Sequence, residues 1–132
     1  MVRSILAVIS GIVTWMIVAT LINFLIRALL PGYVAAEPTL HFTLAMMLAR
    51  LALAVVTSIV AGFVTAAVAR GRMLAVYICA ALILLFFLPI HYKLWSILPV
   101  WYHAFFLLTL APLILLGALI QRRRGQPTAA VA

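Results

Sequence analysis

The chain has 132 residues, of which 70% are hydrophobic and only 8% charged, against roughly 45–50% and 25% in ordinary soluble domains. A soluble fold of this length has no interior large enough to hide so much apolar surface, so lipid must solvate the rest and the chain reads as one compact membrane-embedded unit. Nine basic residues face a single acid, Glu37, but they sit at the ends of apolar runs, without an RNA-binding aromatic signature or zinc-finger spacing, and this argues against nucleic acid as a partner.

The first apolar run covers residues 4–27, with no charge between Arg3 and Arg27. A secretory signal core is about 7–15 residues long. This run is longer and reaches across a hydrocarbon core of about 30 Å at 1.5 Å per residue, which predicts a retained helix. Pro31 and Gly32 stop it, and Pro38 suits the first turn of the next helix.

The second run, residues 41–69, is longer than a straight span needs. Arg50 precedes Arg70 by about 30 Å of helix, so the two arginines are expected near opposite interfaces. Arg70-Gly71-Arg72 is a tight turn into a third helix over residues 73–90, which should end around Pro89. A loop carrying His91, Tyr92, Lys93 and Trp95 leads to the fourth helix, residues 100–121, where Pro112 predicts a kink. Arg122, Arg123 and Arg124 close that helix, and residues 125–132 read as a flexible tail. The expected fold is an all-α membrane protein, a four-transmembrane-helix antiparallel bundle forming one domain over residues 1–124.

Orientation follows from the positive charges. Arg3, Arg70, Arg72 and the three terminal arginines fall on one side; Arg27, Arg50 and Lys93 fall on the other, where Glu37 offsets one of them. The excess places both termini in the cytoplasm. Length and layout are those of small bacterial inner-membrane proteins, which is the location expected.

Ala54, Ser58, Gly62 and Ala66 recur every fourth residue on the second helix. Such a stripe lets helix backbones approach closely where lipid removes any hydrophobic force between helices. It is expected to serve packing inside this bundle, with a homodimer seam or a docking face for a larger complex as the alternative.

Polar groups gather at the outer end. Glu37, His41, His91 and His103 belong to segments on that side, together with Tyr92, Trp95, Trp101 and Tyr102. Interfacial Trp and Tyr form belts at the headgroup layer, and Glu37 and His41 have the i,i+4 spacing of a local pair. The expected role is an anchor. The alternative is a metal, haem or quinone site on His41, His91 and His103, with Glu37 completing a metal shell. No H-x-x-x-H or H-E-x-x-H spacing preorganises such a site, so no cofactor is predicted. Thr20, Asn23 and Arg27 lie within about 60° of one another on the first helix, and Asn23, Arg27 and Arg50 form a polar cluster. It reads as interhelical glue with snorkelling arginines, or as a cationic pocket.

Several activities lack their residues. The apolar runs contain no Asp or Glu, so a proton-coupled exporter has no ion carrier. No Walker loop, dinucleotide fingerprint or G-x-S-x-G elbow occurs. Cys79 has no second cysteine to pair with. The expectation is a non-enzymatic accessory or assembly subunit, with lipids and a protein partner or second copy as its contacts in the membrane. Two alternatives stand beside it: a metal-, haem- or quinone-binding protein, and a small transporter of an anionic or lipidic substrate.

Overall fold

The computed structural model describes residues 1–126, and these are helical almost throughout. The elements are α1 (Val2–Leu29), a short turn of helix α2 (Tyr33–Ala36), α3 (Leu44–Val68), α4 (Met73–Lys93) and α5 (Val100–Gly125). Four of them, α1, α3, α4 and α5, are long and apolar enough to cross a membrane. Of the tail expected over residues 125–132, residues 127–132 lie outside the described residues; Gly125 belongs to α5.

The helix ends have local causes. Pro31 follows Leu30, whose backbone is extended, and Gly32 takes a left-handed conformation at φ 78°. α3 begins at Leu44 and not near residue 41, because the Thr43 hydroxyl accepts from the Met46 N–H at 3.3 Å. That cap satisfies one of the donors a helix start leaves orphaned. The sequence places an end near Pro89, yet α4 continues to Lys93. A proline removes one donor and one intrahelical bond, a defect that a membrane helix tolerates when its neighbours supply the packing. α5 likewise runs unbroken through Pro112.

The turn between α3 and α4 is a Schellman arrangement. Gly71 N–H reaches the Ala66 carbonyl at 2.9 Å and Arg70 N–H reaches that of Ala67 at 3.2 Å. Arg70, at φ 52°, occupies the left-handed position that glycine usually takes.

α3 is the centre of the bundle and packs most closely against α5 and α1. Gly62 and Gly117 face each other's helix: a Cβ on Gly62 would collide with the Ile114 carbonyl, and one on Gly117 with that of Ile59. Gly11 of α1 sits against Thr65 of α3 and Cys79 of α4. Ala54, Ser58, Gly62 and Ala66 are all buried. The small-residue stripe is therefore occupied inside the chain's own bundle, where it trades side-chain volume for close backbone approach.

Contacts also sort the helix ends. Arg3 Nε donates to the Val68 carbonyl at 3.1 Å, and Arg122 lies alongside Gly71. One end of the bundle thus brings together the start of α1, the α3–α4 turn and the end of α5. Arg27, Arg50, His91 and Tyr102 belong to the other end, where the helices open around a cavity.

Candidate functional site: a cationic cavity

α1, α3, α4 and α5 border an open cavity of about 490 Å3, lined by Trp15, Asn23, Arg27, Arg50, Phe87, Tyr102 and their neighbours. It forms because α1 meets α3 closely and α4 only loosely. Its walls are aromatic and its polar groups converge on Arg50, which sits about 9 Å along α3 from Leu44.

The Arg50 guanidinium is held in place by three aromatic residues. Nη1 donates to the Tyr33 hydroxyl at 2.7 Å, and Nε donates to the Tyr102 hydroxyl at 3.2 Å. The Phe42 ring stands 4.9 Å from Cζ, within the range of a cation–π contact. Tyr33 in turn donates to Asn23 Oδ1 at 3.1 Å, which supplies the partner that an amide inside an apolar helix needs. Of the predicted cluster, Asn23 and Arg50 are joined through Tyr33, which is fully buried, whereas Arg27 shares only the cavity lining with them.

The charge balance at the site is lopsided. Glu37, the only acidic side chain in the sequence, pairs with Arg27, Nη2 to Oε2, at 3.1 Å. This corrects the pairing of Glu37 with His41 suggested by their spacing. His41 is exposed and lies just before α3, whereas the α2 turn carries Glu37 back toward the end of α1. With Glu37 occupied, Arg50 has neutral hydroxyls and a ring around it and no carboxylate. Its Nη2 amino group and the Tyr102 hydroxyl proton have no acceptor among the described residues.

The histidines divide. His91 and His103 meet Nδ1 to Nδ1 at 2.7 Å, so one ring donates and the other accepts. Both are buried, with Trp95 stacked on His103 at 4.9 Å and Phe106 against His91 at 4.5 Å. His103 Nε2 is buried with no partner. His41 does not join them, and among the described residues no three His, Cys, Asp or Glu side chains come together as a metal-binding group.

The aromatic set divides too. Tyr92, Trp95 and Trp101 are exposed, as a membrane belt requires. Tyr102 is a correction to that set: it is buried and bonded to Arg50. Sequence reasoning also passed over Trp15, which donates from Nε1 to Ser58 Oγ at 3.3 Å and lines the cavity. Its signal was available, since a tryptophan far from either end of an apolar run does not fit a headgroup belt.

Comparison with known proteins adds no assignment: no family model, curated protein or solved structure matches this chain.

Proposed function

We propose that this is a small, non-enzymatic membrane protein that binds an anionic, lipid-like ligand in the cavity around Arg50. One observation carries the reading: a guanidinium about two turns into the apolar helix α3 has its orientation set by Tyr33 and Tyr102 while its charge is left unmatched. An ionisable group within an apolar span is costly to keep and is a functional candidate by default. An oxyanion at Nη2 would supply the missing charge and two strong hydrogen bonds, with the Tyr102 hydroxyl and the Asn23 amide as further donors. The aromatic walls suit the apolar part of an amphiphile.

In this reading the bundle is antiparallel and sits in a bacterial inner membrane with both termini cytoplasmic. The arginine-rich end then faces the cytoplasm, as the positive-inside rule requires, and the cavity opens toward the outer leaflet. An accessory subunit of a larger complex is the second reading. It is supported by the exposed apolar length of α1 and the exposed Trp95 and Trp101. The small-residue stripe is spent within the bundle and lends it no further support.

The test is binding in nanodiscs of phosphatidylcholine, with Trp95→Phe and Trp101→Phe leaving Trp15 as the fluorescent reporter. Dodecyl phosphate should perturb Trp15 at concentrations at least tenfold below those at which dodecanol does, and Arg50→Gln should abolish the difference, a loss of about 1.5–3 kcal/mol for a charge-assisted bond. Equal responses to the phosphate and the alcohol would remove the basis for the reading.

A further inference from the structure

A second, apolar cavity of about 330 Å3 lies along the seam of α1 and α4, lined by Ile12, Trp15, Met16, Leu82, Phe86 and other apolar side chains. Trp15 and Phe87 line both spaces, and their rings touch at 4.8 Å, so they are the wall the two share. The pair of cavities follows α1 from Arg27 to Ile12, about 22 Å at 1.5 Å per residue. Polarity changes along that path: Arg50, Asn23 and Arg27 at the outer end, and only apolar side chains beyond Trp15.

We infer that the ligand is an anionic lipid with a single chain, its phosphate or similar oxyanion at Arg50 and its hydrocarbon or isoprenoid chain in the α1–α4 groove. This rests on the proposed function and adds the ligand's shape. A charged head at Arg50 fixes which way the molecule lies, because the groove beyond the Trp15–Phe87 wall has only apolar side chains, and the chain would pass that wall on its lipid-facing side. The groove has two walls, α1 and α4, and we assign its volume of about 330 Å3 to one chain. A second chain would have to remain in the surrounding lipid. Since the groove opens along the seam of two lipid-facing helices, such a molecule enters sideways from the bilayer, without crossing water.

The test uses the single-tryptophan protein in phosphatidylcholine nanodiscs with four probes: inorganic phosphate, butyl phosphate, dodecyl phosphate and two-chain phosphatidic acid. Dodecyl phosphate brominated near its chain end should quench Trp15 at concentrations at least tenfold below those at which brominated dodecanol does. Filling the groove with Leu82→Phe or Met16→Phe should weaken dodecyl phosphate about tenfold, the equivalent of about 1.4 kcal/mol, and leave butyl phosphate unchanged. If Arg50→Gln weakens every phosphate probe but groove filling changes none, the head site stands and the chain groove falls. Inorganic phosphate competing as well as dodecyl phosphate would mean a free anion and would also overturn the inference, as would phosphatidic acid binding as tightly as dodecyl phosphate. Indifference of all four probes to Arg50→Gln would sink the proposed function itself. Equal quenching by brominated dodecanol would show ordinary annular lipid in the groove and overturn the inference.

Discussion

Arg50 and Tyr33 meet at 2.7 Å across 17 positions of sequence, and that bond ties the centre of the bundle to the loop that follows α1. Gly32 makes it possible, because its left-handed backbone turns the chain so that Tyr33 points inward. The hydroxyl accepts from Arg50 and donates to Asn23, so a single oxygen serves Arg50 Nη1 and Asn23 Oδ1, two half-buried atoms that would otherwise lack partners.

Tyr33→Phe should therefore destabilise the protein more than Tyr102→Phe. The first change leaves both Arg50 Nη1 and Asn23 Oδ1 unsatisfied, and the second leaves only Nε. The expected costs are about 2–3 and about 1 kcal/mol, in line with the penalty for orphaned buried groups. Thermal unfolding in mild detergent would measure them, and equal shifts would show that the Tyr33 hydroxyl is not shared in solution.

The crossing of α3 and α5 depends on two glycines. Gly62→Ala and Gly117→Ala should each cost about 1–3 kcal/mol, because the new methyl meets a backbone carbonyl on the facing helix that cannot move aside alone. Gly125→Ala is the control: a Cβ there meets only Gln121 Nε2, at 3.9 Å. Its unfolding temperature should match the parent, while those of the other two fall.

His91 and His103 hold one shared proton between their Nδ1 atoms. Nitrogen NMR of the labelled protein should find one protonated and one bare Nδ1 in the pair. In a double-mutant cycle with phenylalanine at both positions, the coupling should be about 0.5–3 kcal/mol, as for residues in direct contact. Strict additivity would show that the two rings do not bond.

Topology can be read by labelling. In a Cys79→Ala background, Tyr92→Cys and Gln126→Cys place thiols at exposed positions, Tyr92 being 82% exposed. A membrane-impermeant maleimide applied to intact spheroplasts should modify the first and reach the second only after permeabilisation. The opposite pattern would reverse the proposed orientation and place the cavity mouth on the cytoplasmic side.

The four long apolar helices were legible in the sequence because length and apolar continuity are local properties, and lipid as solvent demands both. The arginines that close the helices could be read for the same reason. Helix ends were harder. The Thr43 cap and the passage of α4 through Pro89 depend on single hydrogen bonds and on neighbouring packing, which composition does not report. The candidate site was legible only in its parts. Asn23, Arg27 and Arg50 were visible as polar residues in apolar surroundings, but which group would partner each was not, since Glu37 had both His41 and Arg27 within reach of a plausible fold. Tyr102 looked like a belt residue because the sequence specifies a tyrosine's amphipathic character and not the direction it faces. Periodicity and charge by themselves determined that the chain forms membrane-spanning helices and where its polar groups lie along them. Only the tertiary structure decided that Arg27 takes the one acid and Arg50 is left facing an open cavity, because partner choice depends on distances across helices that the order of residues does not contain.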